Sequence, residues 1–367
     1  TRPREADRLV YVGDQDQLSN VKFVITLDSD TQLPHDTARR MIEILAHPLN
    51  QARFDDAGQV QSGYTIIQPR VSPSLPSMSG SPFSRLFSYP VGIDPYTNAV
   101  SDVYQDLTGE GSYHGKGIYD VHTFNQLLSG RFPEALLLSH DLIEGAHVRV
   151  GLASNVELYD EFPQDYLSYI NRQHRWIRGD WQIVDWTKPR VPQPGGGRRG
   201  KNPLSWFDRW KVIDNLRRSL LPVINLSLLM ISWLISVQAG WVATIVVTTQ
   251  LFFHSLVQPF TWATTGQSLK SVSLTKTAHD LLRLLVEAAL LLFQAWLALN
   301  AIARVFYRRH FSHRRLLEWT SAQVMYSSAQ AKVPVFLFSI GLVSLFSVII
   351  GWAMQWWRPT NIWVVSP

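Results

Sequence analysis

Four short stretches carry side chains able to do chemistry. Asp28-Ser29-Asp30 sets two carboxylates one residue apart at the end of an apolar run. At that spacing both can share a hard divalent cation such as magnesium or manganese. A pair of turn-forming aspartates is the competing account. The phosphatase pattern Asp-x-Asp-x-Thr/Val fails, because Gln32 holds its fifth position and the threonine comes one step early at Thr31. His140-Asp141 opens a helical pattern, where a carboxylate can act as general base on a hydroxyl or simply cap the helix. Residues 171–181 gather Arg172, Arg175 and Arg178 with Trp176 and Trp181. Such residues grip phosphate oxygens and stack on rings; a basic amphipathic helix resting on lipid headgroups is the alternative. The glycine-rich run 109–117, with Glu110, Gly111 and Lys116, fits neither the dinucleotide fingerprint nor the P-loop. It reads as a tight turn exposing backbone donors, or as an acceptor-binding loop.

The elements that must position these groups follow from periodicity. The run 21–27 (VKFVITL) is expected to be a buried strand ending at Asp28, and 36–46 a helix with apolar Met41, Ile42, Leu45 and Ala46. Residues 63–71 suggest a second strand, Leu136-Leu137-Leu138 a short third, and 141–148 a helix with acidic first turns. Strands alternating with helices, and polar residues at strand ends, point to an open α/β sheet with its ligand site there. The stretch 72–120 is rich in Pro, Gly, Ser and Tyr, too long for a simple connection, and reads as an active-site loop region. Residues 189–203 (PRVPQPGGGRRGKNP) read as a flexible basic hinge.

Charge divides the chain of 367 residues in two. Residues 1–218 hold 24 Lys and Arg against 26 Asp and Glu, whereas 219–367 hold 10 against 3. With no cysteine there is no disulfide framework, Cys-ligated zinc or thiol nucleophile. The basic excess sits among apolar runs, which favours a membrane over nucleic acid. No charged residue occurs from Ser219 to Leu269, room for two spans near 219–237 and 240–258 with a turn at 238–240. A third span is expected at 333–357. The segment 281–303 is open between a fourth span and an interfacial or re-entrant helix, since Arg283 and Glu287 interrupt it, four apart and able to pair. Lys211, Arg217 and Arg218 put the front domain on the cytoplasmic side. If 281–303 crosses, Arg304, Arg308, Arg309, Arg314 and Arg315 fall on the opposite side, against the positive-inside tendency.

In combination, a strand ending in D-x-D, a later acidic helix start, an R-W helix and then spans resemble the processive, membrane-bound family 2-type glycosyltransferases such as cellulose and hyaluronan synthases. The strings ITLDSDTQLP, GIDPYTNAVSDVYQDLTGEGSYHGKGIYDV, LSHDLIEG and RRLLEWTSAQ resemble the cyclic β-1,2-glucan synthase family in particular, along nearly the whole chain. The resemblance implies an α/β GT-A-like glycosyltransferase domain over 1–188, N-terminally incomplete, a basic hinge and juxtamembrane segment over 189–218, and an α-helical transmembrane region over 219–367. It implies inverting transfer of glucose from UDP-glucose to a growing β-glucan, in the bacterial inner membrane. Asp28 and Asp30 then hold the diphosphate through Mg2+ or Mn2+, and Asp141 is the base. Arg172, Arg175 and Trp176 are nucleotide-sugar contacts, although Arg172 stands where the cellulose-synthase pattern has Gln. Glu110, Gly111 and Lys116 belong to an acceptor loop, and Tyr96 is a candidate anchor for protein-linked glucan. About 20 residues precede the D-x-D strand, too few for the uracil-binding unit of such a domain, so the chain is expected to be an excerpt of a larger polypeptide. Motif chemistry alone leaves open a synthase of another linkage, or a non-catalytic membrane scaffold.

Overall fold

The computed structural model describes residues 20–56, 58–88, 103–133, 136–194, 199–265, 274–318, Trp352 and Trp356. Tyr96, Tyr89 and nearly all of the expected span 333–357 lie outside the described residues. The elements run β1 (Phe23–Thr26), α1 (Thr37–Ala46), β2 (Arg53–Phe54), β3 (Val60–Ser62), β4 (Ile66–Pro73), α2 (Leu75–Ser79), α3 (Pro82–Phe87), α4 (Val103–Thr108), β5 (Gly117–Asp120) and α5 (Val121–Leu128). Then come α6 (Asp141–His147), β6 (Val150–Asp160), α7 (Tyr166–Gln182), β7 (Arg190–Pro192), β8 (Arg199–Lys201), α8 (Trp206–Ile235), α9 (Val237–Thr265), α10 (Leu274–Ala289) and α11 (Leu291–Tyr307). A 3-10 turn, Val184–Thr187, follows α7, and a π-helical turn, Arg308–Ser312, follows α11. Two compact units interleave in sequence: Thr1–Ser72, Asp94–Phe132 and Asp141–Tyr159 form the first, and Pro73–Ile93, Pro133–His140 and Asp160–Pro367 the second.

The first unit is a mixed α/β domain around a sheet of order β1-β5-β4-β6. Strand β5 runs antiparallel to both β1 and β4. Side chains alternate across the pleat, so adjacent Ile66 and Ile67 serve opposite cores. Ile67 joins Ile118, Ala153 and Val156 beneath Met41 and Leu45, the buried stripe of α1. Ile66 and Val150 pack with Leu127 and Leu128 of α5 and with Tyr113. Strand β1 is half-buried rather than buried, because it lies at the edge of the described sheet.

The second unit is helical. Leu136–Leu138, expected as a strand, is irregular, and the Leu138 amide donates instead to the Gln182 side chain at 2.6 Å. The expected flexible hinge contains an antiparallel hairpin, β7 with β8. Asn202 secures it by donating to the carbonyls of Trp186 and Lys188 at 2.7 and 2.8 Å. Helix α8 starts at an N-cap, Ser205, whose hydroxyl accepts from the Asp208 amide at 3.1 Å. Its 30 residues make it the one described helix long and apolar enough to cross a membrane, and only 11% of its most apolar window is buried, unlike the core helix of a soluble protein.

The break after α8 falls at Ser236, ahead of the expected turn at 238–240. Ser236 Oγ accepts from the Ala239 amide at 3.1 Å and so starts α9. Gly240 serves close packing instead: a Cβ there would meet Trp233 Cδ1 at 2.4 Å. The segment that was open in sequence is broken. The helices on either side of Leu290 bend by 58°, and Arg283 donates to Glu287 at 3.0 Å on the first of them.

Ile118 is fully buried on a central strand. Its replacement by Ala is expected to cost about 2–5 kcal/mol and by Val about 0.5–1.5 kcal/mol. Thermal unfolding of both variants in detergent, followed by circular dichroism, checks that order.

Candidate functional site

The first unit gathers its candidate residues around the glycine-rich run. Tyr113 is buried and its hydroxyl lies 2.9 Å from Thr26 Oγ1, which fixes the loop to the end of β1. Burial, with the negative charges of Asp141 and Glu144 adding to it, pushes the Tyr113 phenol well above its ordinary value, so it stays a neutral hydrogen-bonding group. Two residues beyond Thr26, Asp28 Oδ2 receives the ammonium of Lys116 at 2.8 Å. The Lys116 side chain is 6% exposed and that of Asp28 58%. Between Tyr113 and Lys116, Gly115 takes φ +82, and a Cβ on it would stand 3.0 Å from Asp141 Oδ2. Helix α6 approaches the same loop through Gly145, where a Cβ would meet that of Tyr113 at 2.8 Å. The loop therefore brings Asp28, Lys116 and Asp141 into one neighbourhood.

The other loop residues are tied down. The Gly111 amide donates to Val150 O at 2.8 Å, and Glu110 lies 3.5 Å from Arg149. The Gln105 side chain accepts from the Leu152 amide at 2.5 Å and donates to its carbonyl at 3.3 Å, holding α4 on β6. These contacts make Glu110 and Gly111 framework residues of the loop. Lys116 is the member that meets a candidate carboxylate.

Asp28 and Asp30 offer hard oxygen donors suited to magnesium or manganese. The Asp28 carboxylate already accepts one cationic group, the Lys116 ammonium on Oδ2. Its chemistry fits a cation, with Lys116 competing for one of the two oxygens.

In the second unit, α7 begins at Asp165, which caps it by accepting from the Ser168 amide at 2.8 Å. The aromatic rings of Phe83, Phe87, Phe162, Tyr166 and Tyr169 pack around its first turn, Phe83 and Phe87 at 4.7 Å and Phe83 and Tyr169 at 5.7 Å. Arg172 stacks over Trp176 at 4.8 Å, donates to Glu161 O at 3.2 Å and faces buried Asp160 at 4.0 Å. Arg175 is half-buried one residue before Trp176. Arg172 thus braces the R-W helix against the end of β6, a role that its place in the motif did not reveal.

The rest of α7 is anchored on α11 and on the segment that follows it. His174 Nε2 lies 3.2 Å from Asn300 Oδ1, Arg178 donates to Glu318 O at 3.2 Å, and Gln182 donates to Leu316 O at 3.0 Å. Burial lowers the His174 pKa from its ordinary 6.5 to about 4; the Asn300 bond opposes this, and the charges of Arg178, Arg304 and Arg308 reinforce it. Just beyond α7, Asp185 is buried and accepts from Lys188 at 2.6 Å, from Arg199 at 3.1 Å and from Arg309. Burial alone would raise its carboxyl, but the Lys188 hydrogen bond and the charges of Arg309, Lys188 and Arg199 outweigh that and hold it below its usual range. Sequence reading missed Asp160, Asp185 and Asn300. Of these, Asn300 stands out in the sequence as a polar residue inside the apolar segment 281–303.

Together these features define a class: a mixed α/β sheet unit carrying carboxylates at a strand end and a helix start, in a chain with an R-W helix and apolar helices. No protein-family model matches the chain. In an alignment 330 positions long that covers 85% of the chain, it is 37% identical to the cyclic beta-(1,2)-glucan synthase NdvB of Rhizobium meliloti (strain 1021). The chain belongs to the cyclic beta-glucan synthase family, and it spans 11% of the length of that relative.

Two outcomes test this geometry. Gly115→Ala adds a methyl group against the Asp141 carboxylate at a backbone conformation that favours glycine. It should destabilise the fold by about 1–3 kcal/mol, read as a lower midpoint of thermal unfolding in detergent. The folded pKa of His174 lies below the unfolded one, so its contribution to stability is fully present above pH 6.5 and is lost as pH falls towards 4. That loss amounts to about 3 kcal/mol at most. Thermal unfolding between pH 7 and 4 should show a His174→Gln protein with a flatter pH dependence than the parent.

Proposed function

We propose that the chain is the glucosyl-transfer core of a cyclic β-1,2-glucan synthase, with a GT-A-like first unit and UDP-glucose as donor. The observation that carries this reading is the 109–117 loop, which meets Asp28 through Lys116 and Asp141 through Gly115. Asp141 is the general base. It takes the proton from the acceptor's 2-hydroxyl, whose oxygen attacks the anomeric carbon of the donor. The bond from that carbon to the diphosphate oxygen breaks, UDP leaves with the electron pair, and the configuration inverts. Asp28 and Asp30 hold a divalent cation, which when bound supplies neutralisation of the diphosphate charge. The arginines and Trp176 of α7 contribute positive charge and a stacking face for the nucleotide sugar. Tyr96 remains our candidate anchor for protein-linked glucan.

The same reading places the chain in a bacterial inner membrane, with several passes and the catalytic portion cytoplasmic. Here Arg309 constrains the path. It bonds Asp185, which lies between α7 and the start of α8, so the C-terminal end of α11 shares a side with the N-terminal end of α8. If α8 goes out and α9 returns, the bent pair α10 and α11 must begin and end on one side, as a re-entrant or interfacial element. Arg304, Arg308 and Arg309 then stay on the cytoplasmic side, in accord with the positive-inside tendency.

The experiment supplies labelled UDP-glucose and manganese to membranes carrying the full-length protein or its Asp141→Asn form. The variant should lose about 10²–10⁴-fold in incorporation, and chelation of the cation should suppress the parent. Equal incorporation by both proteins would refute Asp141 as base. Methylation analysis of the product should give 2-linked glucose; 4-linked glucose would turn the reading towards a cellulose-type synthase.

A further inference from the structure

Asp185 is the single acidic residue lining a cavity of about 80 Å³ in the second unit. Lys188, Arg199 and Arg309 line the same cavity and all three bond Asp185. Three cations on one carboxylate leave this wall with a surplus of positive charge. Trp181 and Phe306 supply an aromatic side, with ring centroids 5.9 Å apart. The volume is several times what one water needs and has room for a small oxyanion. Lys188 and Arg199 keep about half of their side-chain surface exposed, 53% and 49%, so their remaining donors can turn to a ligand. The walls come from α7, the 3-10 turn, the hairpin strand β8, and α11 with its π-helical turn. One of these, α11, is an apolar helix, and α8 packs on both it and the 3-10 turn.

We propose that this cavity is a binding site for a phosphate group, of the kind carried by an anionic phospholipid headgroup or by free phosphate. Bidentate arginine and point-charge lysine donors suit phosphate oxygens. Asp185 holds the cations in register, and its single negative charge is outnumbered by the three cations that line the cavity with it. Occupancy would join the hairpin, α7 and the end of α11 through one shared anion.

The test uses the full-length protein in detergent, stripped of lipid, and three probes: dioctanoyl-phosphatidylglycerol, dioctanoyl-phosphatidylcholine and inorganic phosphate. Native mass spectrometry reads lipid retention and thermal unfolding reads phosphate. Phosphatidylglycerol held in preference to phosphatidylcholine identifies a lipid source. Stabilisation by inorganic phosphate without lipid preference identifies a free one. In either case Lys188→Gln/Arg199→Gln should weaken binding by about tenfold or more, while Arg199→Lys, which keeps the charge, should retain most of it. If the double variant does not fold, Lys188→Gln alone carries the test, with a smaller loss expected. Equal retention of both lipids with no phosphate effect, or unchanged binding by a folded variant, overturns the proposal.

Discussion

A nearly buried lysine must have an anion, and in the first unit that requirement organises the candidate site. Lys116 cannot leave its ammonium in a poorly solvated place without a partner, and Asp28 meets it at 2.8 Å. For the lysine to arrive there, the loop must turn at Gly115 and dock through Tyr113 on Thr26. At that turn a Cβ on Gly115 would stand 3.0 Å from Asp141 Oδ2. Even the close approach of Gly117 to Ile67, where a Cβ would stand 2.5 Å from the carbonyl oxygen, belongs to this arrangement. Asp28 is thus a structural counter-ion as well as a candidate ligand. Replacing it removes a candidate metal contact and a Lys116 counter-ion at once, so a loss of activity in such a variant has two causes.

The second unit solves a different problem, how a polar helix packs on apolar ones. Helix α7 does so by matching several of its buried polar groups to specific acceptors or donors. His174 meets Asn300, Trp181 donates to Ser219 Oγ at 2.9 Å, and Gln182 joins Leu138 and Leu316. Asp180 is half-buried, and loss of solvent raises its carboxyl to about 6, against the pull of Arg218 and an Asn215 hydrogen bond. These contacts tie the R-W helix to α8 and α11, so its arginines cannot move independently of the apolar helices.

Some of this was legible in the sequence. The D-x-D strand, α1 and α6 announced themselves through apolar period and strand-end or first-turn acids, and Arg283 and Glu287 pair at the expected spacing. The failures share a cause, the tertiary partner that decides the local structure. Leu136-Leu137-Leu138 has strand composition, but its amide is claimed by Gln182 from a distant helix. Strand β5 begins with Gly117 and holds only four residues, and β6 alternates with Ser154, Asn155 and Glu157, so neither stands out without the neighbouring strands that bury its alternate side chains. In the hinge, proline and glycine are real breakers, yet Asn202 and Asp185 supply enough anchors to order the strands on either side.

The charge asymmetry of the chain acquires a physical meaning from Asp185 and Glu318. Basic residues after 218 looked like headgroup anchors because few acids share their region. Arg309, however, turns inward to Asp185, and Arg308 bonds Glu318 and the Arg315 carbonyl. A buried carboxylate surrounded by several cations needs no bilayer to justify them, so sequence charge counts overstate how many arginines address lipid. The same contacts constrain the membrane path more strongly than the counts do. A charge rule weighs averages over loops, whereas a direct Arg309–Asp185 bond forbids the two residues from lying on opposite sides of a membrane. On the proposed topology, the bend at Leu290 is then what allows an apolar segment to return to the side it started from.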